Sequence, residues 1–156
     1  MSTTEIRAVG LDEAHKLAPL IAENAQALIR GAARQPDLYY AEKILRDKTA
    51  EVIGAFLGDR LVGFAVYFDL PEMVTGLRIG QLEDIYVHPD FRSQGIGRKM
   101  VEALVSDGHN RGWLHLRWVV PGKNIPAITL FDKIAEPDHR RNFIISIDRV
   151  AEDGVV

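Results

Sequence analysis

The segment from Leu82 to Val105 constrains this chain more than any other. An apolar strand (Leu82–Val87) runs into His88-Pro89, and a turn follows with Gly95 and Gly97. An amphipathic helix is then expected over 97–109, with Met100, Val101, Leu104 and Val105 facing inward. Glycines let the backbone take conformations closed to other residues and come close to a ligand. The first amides of a helix have no intrahelical acceptor and carry a partial positive charge. A strand, a glycine turn and a helix N-terminus therefore make a phosphate cradle, and Arg92 and Arg98 would set full charges beside it. A tight turn is the plain alternative. The Gly-Lys-Ser/Thr of a nucleotide-triphosphate loop is missing, and Met100 holds the place of the third glycine of a dinucleotide fingerprint.

The rest of the chain fits around that unit. Strands are expected over 4–9, 51–57, 61–69, 78–88, 113–120 and 142–150, and helices over 12–28, 38–47, 97–109 and 124–135. Asp12 is placed to cap the first helix, and Gly31 to Pro36 to break it. Gly58-Asp59 marks a hairpin with a loop slightly longer than the minimum. The order predicts an α/β fold with a mixed sheet and helices on both faces, formed as a single domain over 1–156 with a frayed end from Ala151.

Composition closes off several functions. The net charge of −3 supplies no basic field for a nucleic acid. The apolar runs are strand-sized, so neither a membrane span nor a signal peptide is expected, and the chain reads as cytoplasmic. There is no cysteine, which removes disulfides, zinc–thiolate sites and a cysteine nucleophile. His115 and His139 lack partners at ligand spacing, so no metal is expected. His88 and His109 read as a loop residue and a helix-end cation.

Arg92-Ser-Gln-Gly95-Ile-Gly97 resembles the Arg/Gln-x-x-Gly-x-Gly/Ala signature of the GNAT superfamily of acetyl-coenzyme A-dependent N-acetyltransferases. Asn124-x-x-Ala127-x-x-Leu130-Phe131-Asp132-Lys133-Ile134 is similar to a second helix of that family. The resemblance runs over about the whole chain, with its specific motifs in 82–135. It implies a GNAT-like fold: a mostly antiparallel sheet in which one parallel strand pair splays open. It also implies that Gln94, Gly95, Ile96, Gly97 and Arg98 bind the coenzyme's pyrophosphate, with Arg92 beside them. The edge of Ile85-Tyr86-Val87 would pair with the pantetheine arm, and Asn124 and Phe131 would lie near the arm and the thioester.

Acyl transfer to an amine needs a neutral nitrogen, help for the oxyanion and an exit for the thiolate. An alkylamine with a pKa of about 10.4 is protonated at neutral pH. A carboxylate base is worth roughly 10² to 10⁴ in rate. Glu83 is the candidate, since alternation puts it on the face of Ile85 and Val87 if no bulge intervenes. Leu82-Glu83-Asp84 is similar to a stretch of the diamine and polyamine branch, in which the matching glutamate is regarded as the base. A structural carboxylate is the alternative for Glu83 and for Asp84.

A backbone amide near Val87 would serve the oxyanion. The family's usual tyrosine acid is Phe131 here, and Tyr86 or water could substitute. Trp113 and Trp118 fall on opposite strand faces, while Tyr39 and Tyr40 lie where the acceptor is usually covered. Asp37, Glu72, Glu83 and Asp84 would suit a cationic acceptor. Three functions follow: acetylation of a small-molecule primary amine in a ternary complex, acetylation of a peptide or protein amine, and a degenerate acyl-coenzyme A sensor. A homodimer is expected through the apolar strand Phe143-Ile144-Ile145-Ser146-Ile147.

Overall fold

The structure is a computed structural model, and it describes residues 3–28 and 37–147. The chain divides into two compact units, Met1–Val119 and Val120–Val156.

The first unit is built on a five-stranded sheet in the order β1-β2-β3-β4-β5. The strands are β1 (Thr4–Ala8), β2 (Ala50–Leu57), β3 (Arg60–Pro71), β4 (Arg78–Val87) and β5 (Trp113–Trp118). The first four pair antiparallel with their neighbours, and β4 with β5 is parallel. Leu57 lies opposite Arg60, so the Gly58-Asp59 hairpin is as short as a hairpin can be, shorter than expected. Gly58 makes that possible with a φ of 58°.

Helices cover both faces. On one side α1 (Ala14–Leu28) and α2 (Leu38–Arg46) enclose a core of Leu17, Ala18, Leu20, Ala41, Phe56 and Phe64. On the other, α3 (Ile96–Arg111) lays Met100 against Gly63, where an added Cβ would stand 3.3 Å from the methionine methyl. Trp113 packs on Gly80 and Gly108, which leave room for its ring, and meets Tyr67 edge-on at 6.1 Å. The end of α3 is pinned by Arg111, which donates to both Glu51 oxygens at 2.6 Å and pairs with Asp107 at 2.9 Å. Gly112, at φ 76°, ends the helix.

Asp12 is not the cap of α1. The helix is entered by a short 3-10 turn, Leu11–Glu13, whose cap residue is Gly10. The Glu13 carboxylate reaches back to the Gly10 N–H at 3.1 Å and takes two hydrogen bonds from Arg7. These contacts hold its pKa down at about 2, Arg7 first among them. The helix break expected at Gly31 to Pro36 lies outside the described residues.

In the second unit α4 (Ile125–Ile134) is the regular element. Residues 142–147, expected as a strand, form none, and Phe143, Ile144, Ile145 and Ile147 are 81–89% exposed. Residues 148–150, the remainder of that expected strand, and the frayed end lie outside the described residues.

Candidate active site

The end of β4 and the start of α3 create the local geometry. The His88 N–H donates to the Val62 carbonyl at 2.8 Å, and Gly63 lies opposite Val87. Bonded and non-bonded pairs alternate along an antiparallel ladder. The backbone N–H and C=O of Val87 and Ile85 therefore point away from β3. On that side β5 pairs with β4 only as far as Leu82. The edge of 85–87 is thus left open between two parallel strands, where the splay was expected. Arg92 reaches this edge, its Nε donating to the Val87 carbonyl at 2.9 Å and its guanidinium standing 5.4 Å from the Tyr86 ring centroid.

Beyond the strand, Pro89–Phe91 make a 3-10 turn capped by the His88 ring, whose Nδ1 accepts from the Asp90 N–H at 3.2 Å. Ser93 and Gly95 both take left-handed backbone conformations, with φ of 61° and 77°. The first helical bond runs from the Lys99 N–H to the Gly95 carbonyl, leaving the amides of Ile96, Gly97 and Arg98 without acceptors in the helix. Gln94, Gly95 and Arg98 are exposed, while the Ile96 side chain is buried and anchors the turn. A Cβ on Gly95 would meet nothing within 4 Å. The demand for glycine there comes from backbone conformation. Arg98 lies along α3, paired with Glu102 at 3.1 Å. The turn fits a diphosphate: exposed, glycine-lined, and facing unpaired amides.

A bulge interrupts β4. Asp84 lies opposite Val66 and Leu82 opposite Tyr67, so Glu83 is an extra residue without a partner. Residues opposite one another share a face, and Val66 and Tyr67 are neighbours. Leu82 therefore faces α3, while Asp84 and Tyr86 face α1. Simple alternation cannot place Glu83, because its condition, an unbulged strand, is not met. Glu83 is exposed.

The α1 side of β4 is polar at this point. Asn24, 7% exposed, donates its amide to Asp84 Oδ2 at 2.7 Å. The Tyr86 hydroxyl donates to Glu23 at 3.2 Å, which engages the phenol proposed as a substitute acid. Burial raises the Tyr86 pKa, and Glu23 adds to the effect. Burial also raises the Asp84 carboxyl, against the pull of Asn24. Glu23 and Asn24 were not candidates from sequence. The signal was there: Leu17, Ile21 and Asn24 follow one helical stripe, and a polar residue on a core stripe needs a partner.

Asp37 accepts from the Tyr40 N–H as the cap of α2, and Glu72 binds the amides of Val74 and Thr75 in its own turn. Tyr39 is exposed on α2. In the second unit Asn124 caps α4, accepting from the Ala127 N–H at 3.3 Å, and Phe131 is half-buried. Among the described residues no group of three or more His, Asp or Glu side chains could hold a metal ion, and no helix is long and apolar enough to cross a membrane.

Comparison with known proteins shows the family. A family model described as "Acetyltransferase (GNAT) family" matches residues 19–135. The chain is 28% identical over 148 residues to the thialysine N-epsilon-acetyltransferase of Mus musculus, covering 88% of this chain and 86% of that one. A crystal structure of a ribosomal-protein-alanine N-acetyltransferase from Brucella melitensis biovar Abortus 2308 is 38% identical, with a TM-score of 0.84 over 93% of this chain and 99% of that chain. An aminoglycoside N-acetyltransferase solved in complex with CoA shares the fold at 21% identity, with a TM-score of 0.74 over 94% of this chain and 96% of the other.

Proposed function

The chain belongs to the acetyltransferase (GNAT) family, and on that premise we propose that it moves acetyl from acetyl-coenzyme A to the primary amine of a small molecule, by direct attack in a ternary complex. GNAT acetyltransferases use acetyl-coenzyme A as their acetyl donor. The observation that carries the reading is the open edge of 85–87, set between the glycine turn and the bulge carboxylates. The pyrophosphate is assigned to the amides from Gln94 to Arg98 and the pantetheine arm to the backbone of Ile85 and Val87. Asn124 and Phe131 are assigned to the arm and thioester end on family resemblance.

Glu83 takes a proton from the acceptor ammonium, directly or through water. The Val87 N–H, aimed at the open edge, receives the oxyanion. The thiolate leaves without a tyrosine, since Phe131 cannot donate. A thiol with a pKa of about 8.5 is a tolerable leaving group unaided. The acyl group passes without a cysteinyl intermediate, because the chain has no cysteine.

The mouse relative's name supports a small-amine acceptor. The Brucella structure supports a second reading, in which the acceptor is the N-terminal amine of a protein. The protein is further read as a cytoplasmic homodimer, for which the exposed apolar run Phe143–Ile147 is the support.

Glu83→Gln tests the mechanism. Coenzyme binding should persist while kcat at neutral pH falls by roughly 10² to 10⁴. The deficit should shrink as pH rises and free amine becomes abundant. A variant with the wild-type pH–rate profile would mean that the base lies elsewhere.

A further inference from the structure

The arginines around the turn between β4 and α3 are held in different ways. Arg98 is paired with Glu102 at 3.1 Å, and the Arg60 guanidinium lies 4.9 Å from the Phe91 ring centroid. Arg92 instead reaches back to the strand edge. Its Nε donates to the Val87 carbonyl at 2.9 Å, and its guanidinium stands 5.4 Å from the Tyr86 ring centroid. Arg92 closes the 3-10 turn Pro89–Phe91 in an extended conformation, and the chain turns again at Ser93, with a φ of 61°. Tyr86 is a fixed support for the guanidinium, 7% exposed and bonded through its hydroxyl to Glu23.

The Val87 carbonyl is also a group that the pantetheine arm needs. A chain that adds to a strand edge brings an amide N–H to such an oxygen, with nitrogen and oxygen about 2.9 Å apart. Arg92 Nε already stands at that distance, on the edge that β5 leaves open beyond Leu82. Among the described residues the partners of the guanidinium are a peptide oxygen and an aromatic ring, both neutral. A diphosphate is the stronger partner, since an arginine–phosphate bond joins two charges and can be bidentate. The turn assigned to the diphosphate begins close by in sequence, at Gln94.

We propose that Arg92 guards the open edge and makes the coenzyme's diphosphate the condition for seating its pantetheine arm. The arm displaces the guanidinium from the Val87 carbonyl. With the full coenzyme that loss is offset, because the released guanidinium passes to the diphosphate at the turn. A pantetheine thioester breaks the same bond and brings no diphosphate to replace it. Arg92 is thus a specificity-determining residue that selects coenzyme A over shorter pantetheine donors. The proposal rests on the assignment of the coenzyme to this turn and edge.

Calorimetric titration of coenzyme A and of pantetheine into wild type, Arg92→Ala and Arg92→Gln tests it. Arg92→Ala removes both the edge bond and the charge. It should weaken coenzyme A binding by about tenfold or more. It should tighten pantetheine binding by roughly threefold to tenfold, the worth of one hydrogen bond. Glutamine carries its amide nitrogen as far along the side chain as arginine carries Nε, so Arg92→Gln can keep the edge bond without the charge. It should weaken coenzyme A as Arg92→Ala does, with pantetheine affinity between those of wild type and Arg92→Ala.

Opposite signs for the two ligands are the signature. A residue that only binds phosphate would leave pantetheine unchanged, and one that only supports the fold would weaken both. An Arg92→Ala variant that binds pantetheine no more tightly than wild type, or coenzyme A just as tightly, would overturn this proposal alone. Wild-type protein that binds no coenzyme A would overturn the coenzyme assignment and the proposal with it.

Discussion

Burial of Asp84 carries a cost that its described partners, Asn24 and the Ile85 N–H, offset only in part, and that has a consequence for stability. Its folded pKa is raised from the ordinary 3.8 by burial. Between the unfolded and folded values the native state holds more protons than the unfolded chain, so stability falls as pH rises through that window. Above it the full cost of the buried charge is present. Asp84→Asn should therefore raise the melting temperature at pH 7, with the gain vanishing as pH falls through the carboxylate range. Thermal unfolding of both proteins across pH checks this, and a variant destabilised at pH 7 would contradict it. Among single residues, a spaced motif singled out Arg92 and Gly95, which the structure puts at the turn between β4 and α3, and strand position singled out Glu83. The orientation of Glu83 was not legible in the sequence. A bulge obeys no residue pattern, and here it moves Leu82 to the α3 face while Asp84 faces α1. The cap of α1 shows a similar limit. Asp12 was the expected cap, but the cap residue is Gly10, and Glu13, held by Arg7 from β1, supplies the carboxylate that accepts its N–H.

The elements of the first unit follow the sequence closely, because glycine and proline punctuate nearly every boundary from Gly58 to Gly112. The strand expected at 142–150 rests on the apolar residues Phe143, Ile144, Ile145 and Ile147. A strand also needs a neighbour's N–H and C=O groups, which no pattern within the segment can guarantee. The turn between β4 and α3 makes the sharpest prediction for an element. Gly95 has open space around its missing Cβ but a φ of 77°. Gly95→Val should cost about 1 to 2 kcal/mol of stability through the left-handed backbone, without a packing clash. It should raise the dissociation constant for coenzyme A at least tenfold by turning the first amides of α3 out of line. Calorimetry on the folded variant measures both effects, and unchanged coenzyme affinity would remove the cradle from this turn.

The first unit joins the proposed cradle at the start of α3, a polar α1 side of β4 and an open strand edge at 85–87. An apolar run at 143–147 is left facing solvent. Homodimerisation would cover that run, so light scattering at micromolar concentration should return a dimer, and Ile145→Lys should return a monomer. A monomeric wild type would leave the run without this role. Nothing in the whole-molecule charge of −3 identifies the acceptor. The central claim, transfer of acetyl to a small amine, is tested most directly by competition. S-(2-aminoethyl)cysteine and a short peptide beginning with alanine are supplied at equal concentration with acetyl-coenzyme A, and the acetylated products are quantified by mass spectrometry. The small amine should carry most of the acetyl, and Glu83→Gln should suppress its product. Acetyl found predominantly on the peptide N-terminus would contradict the account and favour the protein-directed reading.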